Sequence, residues 1–258
     1  MNRNCRPFPL ISIITVVKNQ ETYLEYCIKS VIQQTYKNIE YIIIDGKSND
    51  NTLNIINKYQ NDITFWVSEA DNGIADAMNK GLKHAKGEFV LFLHADDYLI
   101  DSNCIKNAVN KIDNEIDIAA FGILFETAQN KIPRYSTWNA GMYLKTKIVH
   151  QGVLCKKQLF EEIGYFDTKL KIAMDYDFFL RCYLNKNVKI KQLNYILTVM
   201  RDTGISSKKD WKTLKKRFEE EKTVHFKNCP NIVGKICYHF YWIFYIPYRF
   251  LLSKIEQI

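Results

Sequence analysis

The chain has 258 residues, 47% of them apolar, which suits one sizeable α/β domain with an appendage and excludes a disordered protein. The formal net charge of +8 is uneven: from residue 206 onward eleven Lys/Arg oppose five Asp/Glu, so the basic excess lies mostly in the tail. Seven cysteines without a Cys-x-x-Cys pair exclude a disulfide framework and read as reduced thiols of a cytosolic protein.

An apolar run over residues 8–17 follows two arginines and superficially resembles a targeting leader. No small-residue cleavage site follows it; Lys18-Asn19-Gln20-Glu21 does. The run is therefore expected to be a buried strand over residues 10–17. Residues 21–34 carry Leu24, Cys27, Ile28 and Val31 at helical spacing. A strand over 39–44, a helix over 51–59, a strand over 63–67, a helix over 74–85 and a strand over 89–93 follow. Strand–helix alternation with continuous apolar strands predicts a mainly parallel, Rossmann-like sheet covered on both faces. Beyond Asp97 the pattern predicts a helix over 101–112, a strand over 116–125 and a loop around 133–139. A strand over 149–155, a helix with an acidic start over 175–184 and two short strands within 188–200 come next. A charged helix over 206–227 and an aromatic segment over 237–252 complete the chain.

The sequence has no G-x-G, no Walker A sequence, no H-E-x-x-H and no G-x-S-x-G. The five histidines are scattered, which argues against a zinc site. Acidic residues instead mark strand ends. Asp45 closes the second strand, and Asp96-Asp97 follow the fourth. Ligands of open α/β sheets bind beyond the carboxyl ends of the strands, so both positions point to one rim. Helix capping and turn formation are the alternative use of such aspartates. A pair such as Asp96-Asp97 suits Mg²⁺ or Mn²⁺, which take one or two carboxylates and complete their shell with phosphate and water.

Five segments in order carry a resemblance. They are Ile13-Ile14-Thr15-Val16-Val17-Lys18-Asn19; Ser30 to Tyr36 followed by Glu40 to Thr52; Ser68 to Gly81; Gly87-Glu88-Phe89; and Asp96-Asp97. Together they closely resemble family 2 glycosyltransferases with the GT-A fold, over about residues 9–200. The nearest type is the bacterial one that builds capsule, exopolysaccharide or O-antigen.

That resemblance implies roles. Thr15, Val16 and Asn19 would line the nucleotide pocket, and Asp45 would accept a hydrogen bond from the base, most often uracil. Asp50 would cap the next helix. Asp71 would lie near the donor, Asp76 would meet ribose or sugar hydroxyls, and Asn79 would orient their segment. Ala95 and Asp96 would meet the donor, with Asp96 and Asp97 holding Mn²⁺ or Mg²⁺. His94 departs from the family's usual Asp-x-Asp at its first position. Met174-Asp175-Tyr176-Asp177-Phe178-Phe179-Leu180-Arg181 resembles the family's Glu-Asp-x-Asp-x-x-x-Arg, with Met174 in place of Glu. Asp175 matches the catalytic base, which takes the acceptor's proton in an inverting transfer. Asp177 would pair with Arg181. His150 would contact the diphosphate, the metal or the acceptor.

In the tail, residues 236–248 are uncharged and aromatic between Lys235 and Arg249. These 13 residues are too few to span a bilayer, which takes about 20. Aromatics flanked by basic residues predict an interfacial segment. Lys208, Lys209, Lys212, Lys215, Lys216 and Arg217 before it add attraction to anionic lipid. Packing on the catalytic domain or in a homodimer is the other reading. A block of aromatics, not interleaved with base-reading side chains, argues against nucleic acid.

The expectation is thus a GT-A domain over 1–205 with a helical extension over 206–258. It would work in the cytoplasm or peripherally on the inner face of the membrane. It would move a sugar from a nucleotide-diphosphate donor, UDP-sugar favoured, to a lipid-linked cell-surface glycan, with inversion. A sugar-phosphate nucleotidyltransferase and a non-catalytic scaffold of a polysaccharide assembly complex are the rivals.

Overall fold

The first apolar run becomes the middle of a sheet. β1 (Ile11–Val17) is buried along its whole length. It pairs in parallel with β2 (Ile39–Asp45) on one side and β4 (Phe89–Phe92) on the other, and β3 (Phe65–Ser68) extends the sheet beyond β2. The computed structural model describes residues 8–113, 115–204 and 210–255. Alternate side chains serve opposite faces. Ile14, Val16, Ile42 and Ile44 pack with α3 (Ile74–His84), α5 (Gln158–Glu162) and α6 (Met174–Leu184). Ile13, Val17, Tyr41 and Ile43 pack with α1 (Leu24–Ile32), α2 (Thr52–Lys58) and α4 (Cys104–Val109). Helices on both faces demand apolar residues on both faces, hence the unbroken runs.

The second half adds β8 (Val153–Lys156), antiparallel to β4 and to β6 (Ile118–Glu126), and β9 (Ile190–Arg201), parallel to β6. β5 (Tyr98–Leu99) joins β9, and β7 (Lys131–Arg134) joins β6. The order is β3-β2-β1-β4-β8-β6-β9-β5. Following these pairings, β1, β2, β3, β4, β6 and β9 share one direction. The sheet is mainly parallel, and the carboxyl ends of β1, β4 and β9 open on one rim.

Three expectations need correction. The two short strands within 188–200 are one twelve-residue strand, β9. Its register against β6 shifts between Ala120 and Ile123, where β9 holds extra residues. Such bulges break the alternation that a continuous strand would display. Part of the expected loop at 133–139 is β7, an exposed edge strand where Pro133 costs no ladder bond. The expected strand at 149–155 begins with a 3₁₀ turn over His150–Gly152, and pairing starts only at Val153. β5 and α5, too short for a periodic signal, were not expected.

The extension is two helices, α7 (Trp211–Asn228) and α8 (Ile232–Ile255). Asp210 caps α7 by accepting from the Thr213 N–H at 2.9 Å. Lys208 and Lys209, counted above in the basic stretch, lie outside the described residues, as do residues 1–7. The helices pack through Leu214, Phe218 and Trp242, with Tyr238, Tyr241 and Tyr245 around them.

His225 of α7 links the extension to α6. Burial pulls its imidazole down to about 4, so the ring is neutral and carries one N–H. The Trp242 indole can only donate, and it donates to Nδ1 at 3.0 Å. The proton therefore sits on Nε2, which donates to the Tyr176 hydroxyl at 2.8 Å. That hydroxyl donates to the Met142 carbonyl at 2.8 Å.

Glu221, 8% exposed beside Arg217, is pushed up to about 7 by burial, against the pull of the guanidinium. A raised carboxyl favours the folded state when protonated. That contribution is complete below the unfolded value near 4.5 and is lost as pH rises through about 7. Glu221→Gln should therefore raise Tm at about pH 8 and flatten its fall between about pH 5 and pH 8. Thermal melts across that window check this; an unchanged slope contradicts it.

Candidate active site

The rim formed by β1, β4 and β9 opens into a cleft of about 620 Å³, within the range of small-molecule and cofactor sites. Val16 and Val17 end β1 there, and Lys18, Asn19 and Gln20 follow. Asn19 takes the left-handed region at φ 51°, which Asn tolerates better than most residues. Its Oδ1 accepts from the Asn49 N–H at 2.9 Å, and its own N–H donates to Ser48 Oγ at 2.8 Å. The loops after β1 and β2 are thus tied together at the cleft edge. Asp50 accepts from the Thr52 N–H at 3.0 Å, at the first residue of α2.

The loop after β4 supplies His94, Ala95, Asp96 and Asp97. The 3₁₀ turn before β8 supplies His150, and the first turn of α6 supplies Asp175. These three segments, distant in the chain, meet in one line. His94 Nε2 is 2.9 Å from His150 Nε2, and His150 Nδ1 is 3.1 Å from Asp175 Oδ2. Asp175 Oδ1 accepts from the Tyr176 N–H at 2.7 Å. Burial, then the neighbouring His150, lower the His94 imidazole to about 4, so it is neutral at neutral pH. A carboxylate only accepts, so His150 Nδ1–H donates to Asp175, and a hydrogen bond joins the Nε2 atoms of His94 and His150.

Asp96 and Asp97 differ. Asp96 lines the cleft, and its Oδ2 accepts from Thr203 Oγ1 at 2.5 Å. Asp97 is 2% exposed, and its Oδ1 accepts from the Arg201 N–H at 3.2 Å. Burial, then the charge of Asp96, push its carboxyl well above the usual range. Among the described residues, no three His, Cys, Asp or Glu side chains converge as a ready metal cage. An ion that arrives with a diphosphate needs only one or two carboxylates, and Asp96 meets that requirement.

Several expected positions lie off the cleft. Thr15 is fully buried beneath it, 3.2 Å from the Tyr41 hydroxyl. Asp45 is also fully buried. It accepts from the Ser48 N–H at 3.0 Å, Ser48 Oγ at 2.5 Å and Ser68 Oγ at 2.5 Å. The carboxylate thereby braces the turn after β2 and ties it to the end of β3. Asp76 accepts from the Asn72 N–H at 2.9 Å at the start of α3, whereas Asp71 lines the cleft. Asn79 orients rather than lines: it donates to the Phe166 carbonyl at 2.9 Å and accepts its N–H at 3.1 Å.

Sequence reading missed Lys171 and Arg201, both of which line the cleft. Arg201 ends β9, donates to the Asp96 carbonyl at 2.6 Å and lies 4.5 Å from the Tyr98 ring centroid. The strand-end rule that singled out the carboxylates applies equally to a basic residue at the end of β9. Lys171 donates to the carbonyls of Asn72 and Thr168.

The site thus joins the Asp175 carboxylate, two hydrogen-bonded imidazoles, a cleft-lining Asp96 and three basic side chains. Comparisons with known proteins bear on the family and the fold. A PGL/p-HBAD biosynthesis glycosyltransferase of Mycobacterium bovis is 27% identical over 205 residues, covering 76% of this chain and 78% of that protein. S. aureus TarS in complex with UDP-GlcNAc is 24% identical with a TM-score of 0.62, over 75% of this chain and 59% of that one. The chain spans only 36% of a longer TarS chain, at 25% identity. The mannosyltransferase PcManGT from Pyrobaculum calidifontis, solved with GDP-Man and Mn²⁺, shares the fold at a TM-score of 0.68. It is 17% identical, over 96% of this chain and 73% of that one. These neighbours bear out the GT-A architecture. The family model described as Glycosyl transferase family 2 matches residues 12–179, a stretch that runs from β1 into the helix bearing Asp175. Sugar transfer therefore prevails over nucleotidyl transfer and over a scaffold, and the chain belongs to glycosyl transferase family 2.

Proposed function

We propose that this glycosyltransferase works by single displacement with inversion, using a nucleotide-diphosphate sugar, UDP-linked by preference. The chain of contacts from His94 through His150 to Asp175, sharing one cleft with Asp96, is the observation that carries this reading. An acceptor hydroxyl attacks the anomeric carbon while Asp175 takes its proton. The bond from that carbon to the diphosphate oxygen breaks, and the nucleoside diphosphate leaves. His150 orients the Asp175 carboxylate through Nδ1. Lys18, Lys171 and Arg201 supply positive charge for the phosphates. Asp96 would hold Mn²⁺ or Mg²⁺ brought with the donor, and a bound ion would neutralise charge on the leaving diphosphate. The binding of UDP-GlcNAc by TarS supports the donor class.

The acceptor in this reading is a lipid-linked glycan at a membrane surface. No helix of the described residues is long and apolar enough to cross a membrane. α8 nevertheless exposes Ile236, Phe240, Phe244, Tyr248 and Leu251 along one side, Phe244 at 70%. No acidic residue interrupts the helix, which also carries Lys235, Arg249 and Lys254. That composition fits a helix lying in the interface of an anionic leaflet.

One experiment tests both parts. Purified protein is given a panel of nucleotide sugars with Mn²⁺, with and without anionic vesicles carrying a lipid-linked acceptor. Metal-dependent donor hydrolysis and co-sedimentation with the vesicles are expected. Absence of turnover with every donor overturns the donor reading, and protein left in the supernatant overturns the membrane reading.

A further inference from the structure

α7 reaches into the turn that leads to Asp175. Glu220 Oε2 accepts from the backbone N–H groups of Lys171 at 3.0 Å, Ile172 at 2.7 Å and Ala173 at 3.0 Å. Successive N–H groups converging on one oxygen form an anion nest. A carboxylate in front of a helix is further favoured by the helix dipole. The position needs such a partner: Ala173 is the N-cap of α6 and offers no side-chain cap of its own. The missing cap is supplied from 47 residues downstream.

The three amides matter for where they lie. Lys171 and Ile172 line the cleft, and Asp175 is the second residue of α6. We infer that Glu220 is a positioning residue for sugar transfer, fixing the first turn of α6 and so the placement of the Asp175 carboxylate. The inference rests on Asp175 as the base. Glu220 is not what attaches α6 to α7. That attachment has its own contacts, Tyr176 with His225 at 2.8 Å and Asp177 with Asn228 at 3.0 Å. Loss of the Glu220 carboxylate should therefore loosen the nest while the helices stay docked.

The test compares Glu220→Ala, Glu220→Gln and the parent, with UDP-GlcNAc and Mn²⁺ as the first probe and backbone hydrogen exchange alongside. Glu220→Ala should lower kcat about 10- to 100-fold, the scale on which small misplacements of a reacting group act. The donor KM should change less than kcat, since Lys18 and Arg201 are untouched and only Lys171 of the proposed phosphate contacts adjoins the loosened turn. Glu220→Gln keeps a carbonyl acceptor and should recover most of the lost kcat. Amides 171–173 should exchange faster in Glu220→Ala while those of α3 and α7 do not change. A folded Glu220→Ala protein with parental kcat overturns the inference, and so does unchanged exchange at 171–173. Unimpaired transfer by Asp175→Asn would instead remove the base assignment, and the exchange result then decides the anchoring by Glu220 alone.

Discussion

Asp175→Asn is expected to lower kcat by about 100- to 10,000-fold, the range that a positioned general base contributes. The substitution exchanges one oxygen for an amide group and keeps the side-chain volume. A carbonyl oxygen remains to accept from the Tyr176 N–H, so the first turn of α6 is preserved. What disappears is the group that can take a proton from an attacking hydroxyl. Lys18, Lys171 and Arg201, proposed for the phosphates, are unchanged, and donor affinity should hold. Loss confined to kcat, with donor Kd and Tm retained, is therefore the expected pattern. A folded variant with full transfer refutes the assignment.

Asp177→Ala, two residues on, should act on stability instead, costing about 3–5 kcal/mol. Asp177 is fully buried, on a different face of the helix. Its Oδ2 is 2.9 Å from Arg181 Nε, and its Oδ1 accepts from Asn228 Nδ2 at 3.0 Å. Lys227 lies 3.3 Å away but is 44% exposed and contributes little. Arg181 also holds the carbonyls of Ile163, Gly164 and Tyr165 at 2.6, 2.9 and 2.8 Å. Without Asp177 its mostly buried charge loses that carboxylate, and the loop it gathers loses its anchor. Urea unfolding measures the loss, and a change below about 1 kcal/mol would count against this account.

These neighbours show how far sequence reading reaches. The i to i+4 pairing of Asp177 with Arg181 is local, and helical periodicity exposes it. The strands β1, β2 and β4 are equally legible, because burial on both faces writes an unbroken apolar run. Asp96 and Asp175 were found through motifs tied to one rim and one helix start. Asp45 shows the limit. Its place at a strand end was read correctly, but the serines that enclose it act from 3 and 23 residues away, and burial carries no local signal. Glu220 lies further out of reach. Within α7 it looks like one of three consecutive glutamates on a charged helix, and only the fold reveals the three amides in front of it. The bulges of β9 likewise appear only when the strand is paired.

The hydrogen-bond chain from Trp242 through His225 to Tyr176 also acts as a ruler. Each link has a fixed donor and a fixed acceptor, so the indole must arrive at one height and one rotation about the axis of α8. Adding or deleting a single residue within α8 between Ile232 and Trp242 would turn the indole by about 100° around the helix axis and carry it away from the imidazole. Most of those intervening residues are exposed and none lines the cleft, yet their number is as constrained as that of a buried strand.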